Sequence, residues 1–146
     1  MAMAERSATT SWEGDLAHGN GVLSGASGAL GDLPVTWASR TERSDGKTSP
    51  EELIAAAHSS CFSMAFSNTL STGGHAPERL EVTANVTLDM VDGAPTVTTS
   101  ELTVTGRVPG IDQAAFEQAA AEAAKGCPIS RALAGVEISV SATLES

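Results

Sequence analysis

The sequence contains no tyrosine, and aromatic residues make up only 3% of its 146 residues. With so few rings available, we expect a core built from aliphatic side chains and alanine. Hydrophobic residues reach 41% and charged residues 18%, a balance typical of a globular chain rather than a disordered one. The length predicts a single domain spanning residues 1–146.

Positive charge is also scarce. Lys and Arg number 8 against 18 Asp and Glu, which gives a formal net charge of −10. Proteins that bind nucleic acid or anionic membranes gain affinity from clustered basic side chains. The charge balance therefore predicts no nucleic-acid partner and no membrane partner.

Targeting signals and long apolar runs are missing as well. Residues 1–10 include Glu5 and Arg6 and lack an apolar segment, so we expect no signal peptide, and no apolar run approaches the length of a membrane span. We therefore expect a cytoplasmic protein, in which a permanent disulfide is unusual. The two cysteines, Cys61 and Cys127, are then more typical of free, catalytic or metal-binding thiols than of structural ones.

The first third of the chain is rich in glycine, and its short apolar segments predict three strands separated by turns. These strands are Thr9–Trp12, Gly21–Ser24 and Val35–Ser39. The polar run Thr41–Lys47 contains the turn signal Asp45-Gly46 and predicts an exposed loop.

The clearest helix follows this loop and is expected to run from Pro50 to about Ser71. Ser49 is a good N-cap and Glu52 completes a capping box. Most positions carry small side chains, which predicts a central helix that its neighbours approach closely. The apolar residues recur at spacings of three and four and predict the core-facing side: Leu53, Ile54, Ala57, Cys61, Met64, Ala65 and Leu70.

Strands with alternating apolar and polar residues occupy much of the second half. Residues 80–90 and 102–108 predict an antiparallel pair with a turn at Asp92-Gly93, and residues 136–144 predict a last strand. Between them, Asp112 is expected to cap a helix over Gln113–Lys125. The order of elements predicts an α+β domain in which helices cover one face of an antiparallel sheet.

The two cysteines occupy different local settings. Cys61 lies in the middle of the central helix, where a lone cysteine is more often a small buried hydrophobe. Cys127 directly precedes Pro128 and a short helix expected to end near Leu133, so exposed N–H groups would stabilise its thiolate. Cys127 could instead be a simple helix cap. Two such cysteines in a reducing compartment favour redox chemistry.

Histidines offer an alternative role for the cysteines. His58 lies three residues before Cys61 and shares its helix face, so Cys61, Cys127, His58 and His75 could form a metal site. No C-x-x-C or H-x-x-x-H spacing supports this. A histidine in this setting is more often a hydrogen-bonded core or interface residue. His18 and His75 lie in glycine-rich turns, where we expect solvated side chains.

Arg40 and Glu51 are either a surface pair, with Glu51 suited to a helix N-terminus, or part of a thiol site. An arginine held by a carboxylate would lower the pKa of a nearby thiol and bind a peroxide oxygen. Glu51 lies about 15 Å from Cys61 along a straight helix, so the two cannot touch within it. Either Arg40 bridges part of that distance or Glu51 comes from a second chain, which favours a homodimer with composite sites.

Two cysteine motifs carry a resemblance to a known family. Residues 48–64 (TSPEELIAAAHSSCFSM) resemble the central-helix signature of the OsmC/Ohr family, and residues 126–130 (GCPIS) resemble its second cysteine motif. Trp12–Asp15 and Val108–Asp112 match more weakly. Ala57-His58 stands where the organic hydroperoxide resistance (Ohr) branch usually has Gly-Tyr, which favours the OsmC branch.

The resemblance implies an OsmC-like fold, with antiparallel sheets packed on a long central helix of an intertwined homodimer. It implies a thiol peroxidase that reduces organic hydroperoxides, and more weakly hydrogen peroxide, with Cys61 as attacking thiol and Cys127 as resolving thiol. The family's catalytic Arg and Glu fall on Arg40 and Glu51. The implied partners are an organic hydroperoxide and a small or protein-borne dithiol. No cofactor is required, because sulfur carries the electrons.

Two other functions are compatible with these residues. One is a non-enzymatic module that binds a small apolar ligand and whose thiols are incidental. The other is a redox or metal sensor that uses the cysteines and His58. A thiol count after exposure to a hydroperoxide would separate the first from an enzyme, and a metal analysis would test the second.

Overall fold

Two three-stranded sheets organise the chain, one in each of two units that divide between Leu53 and Ile54. The structure is a computed structural model that describes residues 2–145. Met1 and Ser146, the ends of the predicted single domain, lie outside the described residues. Among residues 2–145, no helix combines the length and the apolar character needed to cross a bilayer.

The first unit begins with an antiparallel sheet of three strands in the order β1-β2-β3. Their bounds are β1 (Ala8–Glu13), β2 (Asn20–Gly25) and β3 (Leu33–Val35). The first two confirm the strands predicted at Thr9–Trp12 and Gly21–Ser24.

The prediction of a third strand over Val35–Ser39 is wrong beyond Val35, because the chain enters helix α1 (Trp37–Thr41). The Thr36 hydroxyl accepts from the N–H of Ser39 at 3.0 Å, and the Ser39 hydroxyl accepts from the N–H of Thr36 at 2.9 Å. This reciprocal pair is a capping box. Serine replaces the usual glutamate or glutamine at its third position, so the sequence pattern does not reveal it.

Helix α2 (Pro50–Thr72) confirms the predicted central helix. Ser49 caps it as predicted, its hydroxyl accepting from the N–H of Glu52 at 3.1 Å. The predicted capping box is wrong in its second half, because the Glu52 carboxylate accepts from the Thr48 hydroxyl at 2.6 Å and not from the N–H of Ser49. The exposed loop before the helix turns at Asp45-Gly46, where both residues have positive φ.

The buried side of α2 is offset from the predicted one. Met64, expected to face the core, is 72% exposed. Cys61 and Ala65 lie at the margin of the buried side and pack against the core. Small residues all round the helix leave its apolar periodicity weak, so the largest side chains decide which side is buried. The residues buried at four-residue spacing are His58, Phe62, Phe66 and Leu70.

Three phenylalanines lie at the centre of the second unit's core, contrary to the expectation of a wholly aliphatic one. The ring centroids of Phe62 and Phe66 are 5.4 Å apart, and those of Phe66 and Phe116 are 4.9 Å apart. These distances are typical of favourable tilted aromatic pairs. Leu102 and Val104 complete the buried cluster from the second sheet. A low aromatic content therefore did not keep rings out of the core.

The second sheet is mixed, in the order β4-β5-β6. Strands β4 (Arg79–Val91) and β5 (Ala94–Arg107) form the predicted antiparallel pair, and Asp92-Gly93 turns between them with φ of 51° and 80°. Strand β6 (Glu137–Leu144) pairs with β5 in parallel, so an antiparallel sheet is wrong for this edge. A parallel return requires a crossover connection, which the intervening helices supply.

Two helices form this crossover and meet at a single residue. Helix α3 (Gln113–Gly126) is capped by Asp112, whose carboxylate accepts from the N–H of Ala115 at 2.8 Å. Helix α4 (Pro128–Ala132) follows directly after Cys127. Both helices confirm the sequence predictions, and their junction fixes the position of Cys127 in the second unit.

Candidate active site

Cys61 and Cys127 lie close together in the second unit, near enough for each side chain to shift the pKa of the other. Both are free thiols. Cys61 is partly exposed, whereas Cys127 is completely buried. The fold thus brings together two thiols that lie 66 positions apart in the sequence. Such neighbours suit the condensation of a sulfenic acid with a second thiol.

The backbone holds Cys127 from both sides. Its N–H donates to the carbonyl of Ala123 at 2.9 Å, which completes α3, and its own carbonyl accepts from the N–H of Arg131 at 3.0 Å in α4. Pro128 occupies the first turn of α4, where its missing N–H leaves no unpaired donor. Cys127 is therefore anchored by the ends of two helices.

The environment of Cys127 favours its thiolate. Burial acts to raise the pKa of Cys127, but hydrogen bonds from the backbone and hydroxyl of Ser130, the Cys61 side chain and the Ile129 backbone outweigh it and lower that pKa. The sulfur makes no strict capping hydrogen bond, so these contacts are loose ones. The prediction that the residue before Pro128 stabilises a thiolate agrees with this balance.

Cys61 shows the opposite tendency. Burial raises the pKa of Cys61, and the neighbouring Cys127 raises it further, while the backbone N–H of Ile129 acts to lower it. The shifts of the two thiols therefore have opposite directions. A positive charge brought to the Cys61 sulfur would lower the pKa of Cys61.

His58 is completely buried and hydrogen-bonded at both ring nitrogens. Its Nδ1 lies 2.7 Å from the Ser100 hydroxyl on β5, and its Nε2 lies 2.8 Å from the Ser130 hydroxyl on α4. The expectation of a satisfied core histidine is confirmed. The two serines were not predicted. Ser100 lies on the same face of β5 as Leu102 and Val104, because the three residues are spaced two apart along the strand. A polar residue on that face was the available signal.

Arg40 and Glu51 form an ion pair in the first unit. Arg40 Nε donates to Glu51 Oε1 at 3.0 Å and Nη2 donates to Oε2 at 2.9 Å, a two-point contact. The guanidinium also lies 5.9 Å from the ring centre of Trp37. The Arg40 side chain is 30% exposed and that of Glu51 10%. This is more enclosed than a surface pair, and it leaves part of the guanidinium open to a ligand.

A cavity of about 260 Å³ opens beside this pair in the first unit. Its wall is mostly apolar and includes Trp12, Leu23, Trp37 and Leu53, with Arg40 as the charged group. Two tryptophans contribute to this wall, in a chain with few aromatic residues. A small apolar molecule with one polar oxygen matches this combination of surfaces.

The structure therefore groups the predicted site residues as two pairs, each within one unit: the two cysteines, and the arginine with its glutamate. The other histidines take no part in these pairs. The side chain of His18 is exposed and lies 3.2 Å from the Asp15 carboxylate. Among residues 2–145, no three His, Cys, Asp or Glu side chains form a group able to hold a metal ion.

Sequence comparison identifies the family. The model of the OsmC-like protein family matches residues 43–141. Peroxiredoxin OsmC of Escherichia coli (strain K12) is 43% identical over 122 residues, which cover 84% of this chain and 85% of the relative. The chain belongs to the OsmC family. As a family member it carries the general expectation of a peroxidase or other redox role, based on its cysteines.

Solved structures of OsmC-family proteins have the same fold. An organic hydroperoxide resistance protein OsmC from Legionella pneumophila aligns with a TM-score of 0.74 at 22% identity, over 98% of this chain and 99% of the other. OhrB of Bacillus subtilis, an organic hydroperoxide resistance protein, also gives 0.74 at 22% identity, over 95% and 98% of the two chains. The predicted α+β, OsmC-like fold is confirmed.

Proposed function

We propose that this OsmC-family protein is a two-cysteine peroxidase that reduces organic hydroperoxides, and hydrogen peroxide more weakly, in the cytoplasm. The observation that carries the proposal is the proximity of Cys61 and Cys127, two reduced thiols in a protein 43% identical to a peroxiredoxin OsmC. A redox pair needs two sulfurs within reach of each other, and the second unit supplies them.

In the first step, the Cys61 thiolate attacks the distal oxygen of the hydroperoxide. The sulfur–oxygen bond forms as the oxygen–oxygen bond breaks, the alkoxide takes up a proton and leaves as an alcohol, and Cys61 becomes a sulfenic acid. Cys61 is partly exposed, so a substrate can reach it, whereas the buried Cys127 is shielded. This difference in exposure supports Cys61 as the attacking thiol, although the surroundings of Cys127 lower its pKa.

In the second step, the Cys127 thiolate attacks the sulfenic sulfur of Cys61. The disulfide forms, and the hydroxide that leaves takes up a proton to give water. A small or protein-borne dithiol then reduces the disulfide by exchange and returns both thiols. No metal, haem or flavin takes part in this cycle.

Arg40 supplies the positive charge that Cys61 needs. In the proposed homodimer, Arg40 takes the part of the family's catalytic arginine: it lowers the pKa of Cys61 and binds a peroxide oxygen. Glu51 holds the guanidinium through two hydrogen bonds and so fixes its orientation. The mostly apolar cavity beside the pair favours alkyl hydroperoxides over hydrogen peroxide.

The test is turnover of cumene hydroperoxide, tert-butyl hydroperoxide and hydrogen peroxide with a dithiol reductant. We expect the highest kcat/KM for the bulky apolar peroxides, because the cavity offers them apolar contact. Protein whose thiols have been alkylated serves as the control and should be inactive. Equal activity before and after alkylation would contradict a thiol mechanism, and a preference for hydrogen peroxide would contradict the substrate class.

A further inference from the structure

A hydrogen-bonded chain of side chains runs from the second sheet through α2 to α4. It links Ser100 on β5, His58 on α2 and Ser130 on α4, with contacts of 2.7 Å and 2.8 Å. Ser100 and His58 are fully buried and Ser130 is 8% exposed. The peroxidase cycle proposed above uses none of these three residues.

The imidazole of His58 is neutral in this setting. Burial lowers the pKa of His58, and no charged side chain contributes to the shift. A neutral imidazole donates from one ring nitrogen and accepts at the other. Each serine hydroxyl has a single proton to donate. The protonated ring nitrogen therefore determines the direction of every hydrogen bond in the chain.

The two tautomers have different consequences for Ser130. If His58 carries its proton on Nε2, it donates to the Ser130 oxygen, which leaves the Ser130 proton free for another acceptor. If the proton lies on Nδ1, Ser130 must donate to Nε2 and has no proton left. In the first arrangement, the Ser100 hydroxyl donates to Nδ1.

The next acceptor beside Ser130 is the Cys127 sulfur. Ser130 is the third residue of α4, and Cys127 is its N-cap. The N-cap and third positions of a helix lie close together, and in a capping box each side chain reaches the backbone N–H of the other residue. Ser130 lies near enough to Cys127 for its hydroxyl and backbone N–H to lower the Cys127 pKa, although the sulfur makes no strict capping hydrogen bond.

We propose that His58 is a positioning residue for the resolving cysteine: as the Nε2–H tautomer it donates to Ser130 and so directs the Ser130 proton at the Cys127 sulfur. The directed chain is Ser100 to His58, His58 to Ser130, and Ser130 to Cys127. It ends on the sulfur without placing a charge in the core. Helix α2, which carries Cys61, thus also orients a hydrogen bond toward Cys127, through the side chain of His58 three residues before Cys61.

The inference rests on the proposed role of Cys127 as resolving thiol. In the resolving step, the Cys127 thiolate forms the disulfide and the oxygen of the Cys61 sulfenic acid leaves as hydroxide, which becomes water. A hydroxyl directed at Cys127 keeps more of it as thiolate before this step. It also stabilises Cys127 as the leaving thiolate if the reductant attacks the disulfide at Cys61.

The test titrates the ultraviolet absorbance of the Cys127 thiolate in a Cys61→Ser background, where it is the remaining thiol. Ser130→Ala should raise the Cys127 pKa by about one unit, because a hydrogen bond to a charged group is lost. His58→Leu should raise it by less, because Ser130 keeps its proton but loses the donor that orients it. His58→Gln should restore part of the shift, because the glutamine amide can donate to Ser130.

Two further variants serve as controls. Thr69→Val removes a hydroxyl on the same helix that donates to the backbone carbonyl of Ala65, and it should leave the Cys127 pKa unchanged. Ser100→Ala, two hydrogen bonds from the sulfur, should give the smallest shift within the chain. An unchanged pKa in folded Ser130→Ala would overturn the proposal. A shift in Ser130→Ala with none in His58→Gln and His58→Leu would overturn the role of His58.

Nitrogen NMR of the His58 imidazole identifies the tautomer without any substitution at His58, Ser100 or Ser130. The proposal predicts a proton on Nε2 of His58 when Cys127 is a thiolate, and a proton on Nδ1 in that state would overturn it. This measurement decides the matter if His58→Leu fails to fold. Neither measurement uses a peroxide, so an inactive protein that shows these shifts would contradict only the proposed peroxidase function.

Discussion

The surroundings of Cys61 and Cys127 differ although the two residues lie close together. Cys61 lies in the middle of a helix and is partly exposed, and burial raises its pKa. Cys127 is completely buried, yet hydrogen bonds from Ser130, Cys61 and Ile129 lower its pKa. At Cys127, hydrogen-bond donors therefore outweigh burial in the direction of the pKa shift. Cys61 is accessible to a substrate, which suits it for attack. Cys127 is buried and its pKa is lowered, which suits it for resolution.

The largest expected effect comes from Cys61→Ser. A serine hydroxyl is a far weaker nucleophile than a thiolate, so turnover of an organic hydroperoxide should fall to background. Unchanged thermal unfolding and one remaining thiol would show that the chain still folds. If this variant retains full activity, the division of roles between the two cysteines is wrong.

Cys127→Ser should have a different outcome. The first turnover should proceed at the normal rate, because Cys61 still attacks, and the sulfenic acid should then persist and be over-oxidised or form mixed disulfides. A rapid-mixing assay separates the first turnover from later ones, and mass spectrometry identifies the oxidised Cys61. Sustained turnover at the normal rate would mean that Cys127 is not needed for resolution.

Arg40→Gln should weaken the attack without abolishing it. If Arg40 lowers the pKa of Cys61, its loss raises that pKa, and each unit reduces the thiolate fraction about tenfold at a pH below the pKa. The rate at neutral pH should fall by at least that factor and recover as the pH rises toward the new pKa of Cys61. The measurement is kcat/KM against pH.

Arg43→Gln is the matched control for this variant. Arg43 lies three residues further along, is 87% exposed and makes only a long contact of 4.0 Å to Asp45. It should leave the pH profile unchanged. A profile that shifts for Arg43→Gln instead of Arg40→Gln would move the catalytic arginine to that position.

Local signals predicted most elements of the fold. The cap at Ser49, the Asp92-Gly93 turn and the Cys127-Pro128 junction all appear where the sequence placed them, because each depends on a few adjacent residues. The parallel pairing of β6 with β5 was not predictable in this way. It depends on how the chain returns across the helices, and strand alternation is the same in either direction.

The site was predicted less completely than the fold. The motifs around Cys61 and Cys127 revealed the two thiols, and Arg40 and Glu51 do form a pair. The small side chains of α2 gave no clear buried side, so Met64 was placed inward and the aromatic core was missed. Ser100 and Ser130 escaped notice because their importance comes from long-range contact with His58.

The most direct test of the account is a count of free thiols before and after one equivalent of cumene hydroperoxide, without reductant. If Cys61 and Cys127 act as one redox pair, two thiols per chain should disappear together, and a dithiol should restore both. Retention of both thiols, or the loss of one with no Cys61–Cys127 disulfide, would contradict the account.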